Sequence, residues 1–274
     1  MDNQIDSFRE KTVVITGASS GLGATLAEEF SKRGARLVLF ARTEQKLKET
    51  ADLCQNSGSS PLIVTGDVTD PRDCEKLIEK ALANYGDVDY LVANAGVSMW
   101  AKFEDVKDIS IFGRIMETNY LGTVHSVYYA LPYLKKSKGM IVAISSIQGK
   151  IGVPLHTGYV ASKHALQGFL ASLRAEISGS GVHVLTVLPH WMRGTHLRKN
   201  ALGKDGFPIG ESKGHSKESI SLQECAAAII KAMNKRKTEL VIPPKLKLLP
   251  WLNLINPKIV NFLVKGEMER QEES

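Results

Sequence analysis

The sequence predicts an α/β protein, a single doubly wound domain built on a parallel sheet of seven strands. Short apolar, β-branched segments alternate with segments that carry apolar residues at helical spacing. This alternation requires crossover connections and a sheet covered by helices on both faces. A glycine-rich turn follows the first strand, and no repeat or linker divides the 274 residues. Residues 1–274 are therefore predicted to form one domain with ligands at the carboxyl ends of its strands.

The predicted strands are short apolar runs bounded by glycine or polar residues, as buried parallel strands are. They cover residues 12–16, 36–40, 62–65, 90–93, 140–144, 182–188 and 240–242. The predicted helices between them include a long helical region that extends through residue 134, followed by helices at about residues 158–177 and 222–233. With the helices before these, the elements make one continuous series of strand and helix.

The first three helices are predicted from their ends and their apolar spacing. The first carries its apolar residues at helical spacing and closes at Gly34. Thr43 is expected to cap the second, with Leu47 and Leu53 on its apolar face. The pair Asp70-Pro71 has the cap-then-proline pattern that starts a helix.

Composition and charge narrow the function classes. Hydrophobic residues make up 43% and charged residues 23%, and the net charge is +6, which is ordinary for a globular protein. This modest excess suits an anionic cofactor or membrane surface, and no nucleic-acid motif accompanies it. The cysteines, Cys54, Cys74 and Cys225, have no metal-site or disulfide spacing. We expect no metal, no secretory signal in the polar lead at residues 1–11, no membrane span, and a cytoplasmic location.

A glycine-rich loop, Thr-Gly-Ala-Ser-Ser-Gly-Leu-Gly, joins the first strand to the first helix at residues 16–23. Glycines permit a tight turn, and the helix N-terminus offers free N–H groups to a pyrophosphate. The spacing is not that of a P-loop, and taken alone the loop also fits a purely structural turn. The predicted phosphate-binding residues are Gly17, Ser19, Ser20, Gly21, Leu22 and Gly23.

This loop resembles the T-G-x-x-x-G-x-G pattern of the short-chain dehydrogenase/reductase family, and the resemblance extends to about residue 190. Asp67-Val68, after the third strand, is similar to the family's adenine-binding pair. Asn94, Ala95 and Gly96, after the fourth, are similar to its N-A-G element, which braces the sheet and borders the cofactor. The resemblance implies a Rossmann fold and a nicotinamide dinucleotide cofactor.

The end of the second strand bears on the choice of cofactor. An acidic residue at this place binds the adenosine ribose and favours NAD, but this chain has Ala41. Arg42 offers a guanidinium group suited to a 2′-phosphate, and Thr43 offers a second donor. The sequence therefore favours NADP(H), with a solvated surface arginine as the alternative interpretation of Arg42.

Ser146, Tyr159 and Lys163 carry the second part of the resemblance. The family has a serine thirteen positions before a Y-x-x-x-K motif, which favours Ser146 over Ser145. Tyrosine and lysine at i and i+4 share one helix face, and an ammonium beside the phenol, with an oxidised nicotinamide close by, is expected to lower its pKa. The resemblance implies Tyr159 as general acid/base, Ser146 as the group that holds the substrate oxygen, and Lys163 as a ribose ligand. Asn119 is similar to the asparagine that supports a water chain to the lysine.

The loop after the sixth strand departs from the family pattern. His190 stands where the family has glycine, and the following threonine, Thr195, falls one position late. Pro189 and Met192 are still expected to border the cofactor. His190 is either a substrate contact or a tolerated side chain, and a single histidine without partners favours the second interpretation.

Two segments beyond this loop are variable in character. Residues 196–219 are rich in lysine, glycine and serine, and they resemble the family's mobile substrate lid. The C-terminal extension, residues 243–274, combines apolar residues and a tryptophan with lysines. It is expected either to pack over the cleft or a subunit neighbour, or to lie in a membrane interface. Packing is favoured because Pro250 and Pro257 break a long amphipathic helix.

The stretch from residue 145 to 163 is most similar to the hydroxysteroid dehydrogenase branch, which implies an apolar ketone or secondary alcohol as substrate. The family also implies a homodimer or homotetramer through helices at about residues 111–134 and 158–177. Two alternatives stay open: a protein that senses NADP without turnover, and a membrane-surface lipid-binding protein on the same scaffold.

Overall fold

The structure is a computed structural model that describes residues 8–210 and 219–272. Its seven-stranded sheet has the order β3-β2-β1-β4-β5-β6-β7, with every pair of neighbours parallel. The strands are β1 (Thr12–Thr16), β2 (Arg36–Ala41), β3 (Leu62–Thr65), β4 (Tyr90–Ala93), β5 (Met140–Ile144), β6 (His183–Pro189) and β7 (Glu239–Ile242). The predicted α/β fold class, with helices flanking a parallel seven-stranded sheet, is confirmed.

Helices cover both faces of the sheet. They are α1 (Gly21–Ser31), α2 (Glu44–Gln55), α3 (Pro71–Tyr85), α4 (Ser110–Met116), α5 (Gly122–Ser137), α6 (Thr157–Glu176), α7 (Leu222–Asn234), α8 (Leu249–Ile255) and α9 (Pro257–Glu272). Val13 and Ile15 of β1 pack with α1, α2 and α7, whereas Val14 packs with α3, α5 and α6. Successive residues of a strand point to opposite faces. The apolar residues of these strands therefore contribute to two cores, one on each face of the sheet.

Local sequence signals set several helix ends. Asp70 caps α3 by accepting a hydrogen bond from the Arg72 N–H, and Pro71 opens the helix as predicted. Thr43 occupies the N-cap position of α2, but its side chain makes no capping hydrogen bond. The Ser221 and Glu224 side chains form a reciprocal capping box at the start of α7.

The apolar face predicted for α2 is wrong at one position. Leu53 is 50% exposed, and Thr50, Ala51 and Cys54 face the core with Leu47 instead. Successive residues of a helix are rotated by 100°, so Cys54 lies on the same face of the helix as Leu47 and Ala51. Burial raises the pKa of the Cys54 thiol to about 12, so this cysteine stays a protonated packing residue.

The long helical region predicted through residue 134 is divided by a π-helical turn. Residues Glu117–Leu121 form this turn between α4 and α5, and Asn119 is its buried member. Such wider turns are rare and frequently mark functional sites. The turn therefore marks the neighbourhood of Asn119 as a candidate functional region.

The N-terminal lead adds one core residue that its polar character did not predict. Phe8 is buried, with its ring centroid 5.1 Å from that of Phe30 and 5.2 Å from that of Tyr90. Aromatic pairs at these separations stabilise a core beyond the area that they bury. Phe8 thus belongs to the core that β1 forms with α1.

No described residue of the C-terminal extension lines the ligand cleft, and the expected packing on the cleft or on a subunit neighbour stays a prediction. The two prolines do prevent one long helix, since α8 and α9 are separated at Asn256. Val260 is buried and Leu246 and Leu249 pack on a small cluster. The large apolar side chains that stay exposed are Leu248, Trp251, Leu254, Ile255, Ile259, Phe262 and Leu263. None of the described helices is long and apolar enough to cross a bilayer.

Candidate active site

A cleft of about 790 Å³ opens where β1, β4, β5 and β6 end. The chain leaves β1 toward β2 on one side and meets β4 on the other, which is the switch point where doubly wound sheets bind ligands. The predicted residues that line the cleft are Gly17, Ser19, Ser20, Gly21, Leu22, Arg42, Thr43, Asp67, Val68, Asn94, Ala95, Gly96, Ser146, Tyr159, Lys163, Pro189 and Met192. Gly23 and Asn119 are the two predicted residues that do not line it.

The glycine loop is held by close backbone approach. Gly17 has a φ of 64°, in the left-handed region that glycine adopts without strain. A Cβ atom at Gly23 would lie 2.3 Å from the Gly17 carbonyl oxygen. The Asn94 Nδ2 donates to the carbonyl oxygens of Thr16 and Gly17, each at 3.1 Å. Gly23 and Asn94 therefore hold the backbone of the loop in place, and Gly17 and Ser19 to Leu22 line the cleft.

The start of α1 suits a phosphate group. Ser20 is the N-cap residue, its side chain makes no capping hydrogen bond, and Ser19 to Leu22 line the cleft. The first N–H groups of a helix have no intrahelical acceptor, and the helix dipole places positive charge at this end. The loop thus fits the pyrophosphate of a dinucleotide.

The far end of the cleft, where β2 ends, carries positive charge. Arg42 has a side chain that is 73% exposed, and its Nη1 lies 3.8 Å from the Asp67 carboxylate. Lys46, in the first turn of α2, also lines this end, although no motif in the sequence indicates it as a cofactor-binding residue. Ala41 carries no acidic side chain, so Arg42 and Lys46 outnumber Asp67 among the charged residues that line this end.

Tyr159 and Lys163 lie together in the middle of the cleft. Both belong to the buried stripe of α6, which continues through Leu166 and Leu170 into the core. The Lys163 Nζ is 5.6 Å from the centroid of the Tyr159 ring and donates to the Ile144 carbonyl oxygen at 2.9 Å. Packing of α6 on the sheet therefore fixes both groups at the ends of β4 and β5.

Burial dominates the protonation of this pair. It raises the pKa of Tyr159 to about 12, although the Ser146 hydroxyl opposes the rise. It also lowers the pKa of Lys163 to about 8. In the protein alone, removal from water disfavours the phenolate more than its neighbours favour it. The predicted lowering of the phenol pKa, which also requires an oxidised nicotinamide close by, stays a prediction. At neutral pH the phenol keeps its proton.

The two adjacent serines differ in their partners. The Ser145 Oγ accepts from the Gln167 Nε2 at 3.1 Å, which ties it to α6. The Ser146 Oγ accepts from the Gln148 N–H at 3.2 Å and donates to the Pro189 carbonyl oxygen at 3.4 Å, a long hydrogen bond. Both serines line the cleft, Ser146 also contacts the Tyr159 phenol, and the choice of Ser146 from its spacing stays a prediction.

Asn119 lies behind the cleft and braces the loop after β4. Its Oδ1 accepts from the Val97 N–H at 2.8 Å. Its Nδ2 donates to the Val97 carbonyl oxygen and to the Ser162 Oγ, each at 2.9 Å. The π-helical turn thus presents one amide group to the cofactor loop and to α6 at once, and its direct partners do not include Lys163.

One side of the cleft is an aromatic wall, formed by Trp100, His156 and Trp191. The His156 ring centroid lies 5.0 Å from Trp100 and 5.6 Å from Trp191. The Arg198 guanidinium, from the predicted lid, stacks 4.4 Å from the Trp100 ring centroid and 4.9 Å from that of Trp191. Trp191 lies in the loop after β6 that departs from the family pattern, and no signal in the sequence joins these four residues.

The described part of the lid closes this wall. The Trp100 N–H donates to the Leu202 carbonyl oxygen at 2.9 Å, and the Arg114 Nη2 donates to the Gly206 carbonyl oxygen at 2.9 Å. His196 through Leu202, except Lys199, line the cleft. The lysine-rich part of the predicted lid, residues 213–217, lies outside the described residues.

Comparison with known proteins gives one consistent result. A family model described as short chain dehydrogenase matches residues 11–205. The 11-beta-hydroxysteroid dehydrogenase-like 4A of Arabidopsis thaliana is 35% identical over 254 residues, which cover 91% of this chain and 82% of that protein.

Two solved structures are similar in fold. An alcohol dehydrogenase from Thermococcus sibiricus, complexed with 5-hydroxy-NADP, has a TM-score of 0.73 at 27% identity and covers 85% of this chain and 95% of its own. A short chain dehydrogenase/reductase from Burkholderia phymatum, in complex with NAD, has a TM-score of 0.78 at 23% identity, with 92% and 95% covered. Its identity is low enough that it supports the fold alone.

Proposed function

The chain belongs to the short-chain dehydrogenase/reductase family and is an oxidoreductase of that kind, and from this premise we propose that it is an NADP(H)-dependent enzyme that interconverts a carbonyl and an alcohol. The observation that carries the proposal is the placement of Tyr159, Lys163 and Ser146 in one cleft with the glycine loop. Bound at this loop, the nicotinamide cofactor supplies or accepts the hydride.

The residues of the chain handle the oxygen and its proton. Tyr159, whose phenol is protonated at neutral pH, donates its proton to the carbonyl oxygen during reduction and takes it back during oxidation. Ser146 hydrogen-bonds the same oxygen and holds the substrate in place. The Lys163 ammonium, 5.6 Å from the phenol ring, stabilises the phenolate that remains. The protonated resting form of Tyr159 is the form that carbonyl reduction needs.

Asn119 acts as a positioning residue in this proposal. Its three hydrogen bonds hold Val97 and Ser162, and Ser162 precedes Lys163 on α6. A water chain from this region to Lys163 would return a proton to the phenolate after each turnover.

We propose NADP(H) over NAD(H) on the charge at the end of β2. Arg42 and Lys46 line the cleft, the Thr43 side chain makes no capping hydrogen bond, and Ala41 supplies no carboxylate. A 2′-phosphate at this place would replace the long Arg42–Asp67 contact with a charge-assisted one.

The cofactor proposal is tested by fluorescence titration with NADPH and with NADH. Wild type should bind NADPH more tightly by at least tenfold, and Arg42→Ala should lose most of that preference without weakening NADH. The exposed Arg72, on α3, lies outside the cleft, so Arg72→Ala is the matched control. Equal affinities in wild type would refute the NADP preference and leave the family intact.

The catalytic proposal is tested with the same protein and a panel of ketones. Wild type should oxidise NADPH in a ketone-dependent reaction, and Tyr159→Phe should bind NADPH normally while losing the rate by several hundredfold or more. NADPH binding without turnover on any ketone would favour the sensor function instead.

The substrate is proposed to be an apolar ketone or secondary alcohol. The aromatic wall gives the cleft apolar and planar surfaces, and the Arabidopsis relative is named for 11-beta-hydroxysteroid dehydrogenases. All three cysteines are free thiols, which suits the reducing cytoplasm that we propose as its location.

We also propose a homodimer or homotetramer formed through α5 and α6. Tyr128 on α5 is exposed, and the Tyr120 and Phe169 rings, 6.1 Å apart, form a partly buried pair between the π-helical turn before α5 and α6. Light scattering after size exclusion tests this: a dimer or tetramer that Tyr128→Glu dissociates supports it, and a monomer refutes it.

A second proposal concerns the C-terminal helices, which we infer to lie on an anionic membrane surface. Their exposed apolar face includes Trp251 and Phe262. Residues 240–266 contain four lysines and no acidic residue, a combination that favours an anionic lipid interface.

Co-sedimentation with vesicles tests the membrane proposal. Binding should require phosphatidylserine, weaken as salt is added, and be lost in the double variant Trp251→Glu, Phe262→Ser. Phe103→Ser, at an equally exposed ring outside the extension, should bind as wild type does. No binding at low salt would contradict it, and a higher oligomer dissociated by the double variant would assign the face to a second copy.

A further inference from the structure

His156 lies in the aromatic wall three residues before Tyr159, and the proposed chemistry leaves it without a task. Its side chain is 1% exposed, and its ring centroid is 6.4 Å from that of Tyr159. A neutral imidazole has one nitrogen that donates and one that accepts, and buried polar atoms are normally hydrogen-bonded. Each nitrogen of the His156 ring is therefore expected to have a hydrogen-bond partner.

The tautomer of His156 is fixed by its own chain. The Nδ1 lies 2.8 Å from the Pro154 carbonyl oxygen. A carbonyl oxygen only accepts, so Nδ1 carries the proton and Nε2 is left as a bare acceptor. Burial and the nearby Arg198 lower the pKa of His156 to about 4. The ring is therefore neutral across the physiological range, with an acceptor that does not switch.

The backbone at this point is held in a costly conformation. Leu155 has a φ of 64°, which is strained for a residue other than glycine. Its carbonyl oxygen accepts from the Ala101 N–H at 3.0 Å, which ties the turn to the loop that carries Trp100. Strain of this kind persists where the surrounding structure enforces it, and it clusters at ligand-binding sites.

The free acceptor belongs to the cleft. His156 lines it, and Nε2 makes no hydrogen bond to any residue in the ranges that the structure describes. The indoles of Trp100 and Trp191 flank the imidazole. The site thus offers one acceptor beside two indole rings, on which the Arg198 guanidinium also stacks, and the His156 ring centroid lies 6.4 Å from that of the acid Tyr159.

We propose that His156 is a substrate-binding residue, whose Nε2 accepts a hydrogen bond from a hydroxyl group that the substrate carries on a carbon near the reacting carbonyl. This rests on the proposed oxidoreductase function and deepens it. The substrate class is an apolar hydroxy ketone in reduction and the corresponding diol in oxidation. The carbonyl carbon gains the hydride from NADPH, its oxygen gains the Tyr159 proton, and the second hydroxyl is unchanged.

The separation of the two rings limits where that hydroxyl stands. With ring centroids 6.4 Å apart and hydrogen bonds of about 2.8 Å on each side, the two substrate oxygens belong to adjacent or next-but-one carbons. Two matched pairs of aromatic ketones probe these spacings: benzoin against deoxybenzoin, and the β-hydroxy derivative of benzylacetone against benzylacetone itself.

The experiment compares kcat/KM within each pair for wild type, His156→Phe and His156→Gln. Phenylalanine keeps the ring and removes the acceptor, whereas glutamine restores an acceptor oxygen. His164→Phe is the matched control, because His164 lies on α6, which His156 precedes, is exposed and is not in the cleft.

The proposal expects wild type to prefer the hydroxylated member of at least one pair by about tenfold. His156→Phe should abolish this preference through KM, leaving the ketone without the hydroxyl unaffected, and His156→Gln should restore part of it. No preference in wild type, or equal losses on both members of each pair, would overturn it.

A binding measurement separates this proposal from the oxidoreductase function. Hydrobenzoin, the diol made from benzoin, should quench the tryptophan fluorescence of the NADP-bound protein at a lower concentration than the alcohol made from deoxybenzoin. His156→Phe should remove that difference. If this binding pattern holds while no ketone is turned over, the catalytic proposal fails and the role of His156 stands; a pattern without the difference overturns the role of His156.

Discussion

Replacing Lys163 with methionine is predicted to stabilise the protein at neutral pH while it removes the ammonium from the site. Lys163 is 4% exposed, and burial lowers its pKa from 10.5 to about 8. Since one pKa unit corresponds to about 1.4 kcal/mol, the charged amine costs the folded protein about 3 kcal/mol. The hydrogen bond to Ile144, at 2.9 Å, offsets about 1 kcal/mol of this cost. The net gain expected for Lys163→Met is about 2 kcal/mol.

The gain has a defined dependence on pH. The folded-state pKa of Lys163 lies below the unfolded one, so below pH 8 both states are charged and the wild-type protein bears the full cost. Between about pH 8 and 10.5 the folded protein releases the proton first, and wild-type stability rises relative to the variant. The difference in the free energy of unfolding should therefore shrink across this window.

Urea unfolding at pH 7 and at pH 10, followed by tryptophan fluorescence, measures both effects. Lys80→Met on the exposed side of α3 is the control, since Lys80 is exposed and its substitution should change little at either pH. The reasoning is refuted if Lys163→Met is no more stable than wild type at pH 7, or if its advantage persists unchanged at pH 10.

Three further predictions concern Gly23, Asn119 and the protonation of Lys163. Gly23→Ala places a Cβ atom 2.3 Å from a backbone oxygen of the glycine loop and should weaken NADPH binding at least tenfold, whereas Gly113→Ala, with open space in α4, should bind normally; equal titrations would contradict this. Asn119→Leu leaves the Val97 N–H and carbonyl oxygen without their partner and should cost about 3 kcal/mol in urea unfolding; a loss under 1 kcal/mol would exclude the bracing role. The rate of ketone reduction at saturating NADPH should fall as pH rises through about 8, where Lys163 loses its proton, and a flat profile from pH 7 to 9.5 would argue against that ammonium.

Local periodicity predicted the sheet because each strand has a short run of apolar residues and most connections carry helical spacing. It also predicted the pairing of Tyr159 with Lys163, since one helical turn separates them. The error at Leu53 arose because a helix that is mostly polar gives little indication of its buried face. The high pKa of Tyr159 in the protein alone was not predicted because the extent of burial is a tertiary property.

The aromatic wall could not be predicted because its members come from separate segments. Trp100 follows β4, His156 precedes α6 and Trp191 follows β6, and only the assembled sheet brings their rings within 7 Å. The left-handed turn at Leu155 is equally hidden, because leucine gives no sign of such a conformation. Residues that come together from separate segments are thus harder to predict from the sequence than residues that share one helix face.

Isotope transfer shows most directly whether this cleft transfers hydride between NADPH and a carbonyl, with Tyr159 as the acid. Wild type and Tyr159→Phe are incubated with a ketone and NADPH deuterated at both positions of the nicotinamide C4, and the product alcohol is examined by mass spectrometry. The account predicts one deuterium on the carbinol carbon with wild type and almost none with the variant, although both bind the cofactor. Product without deuterium, or equal labelled product from both proteins, would contradict it.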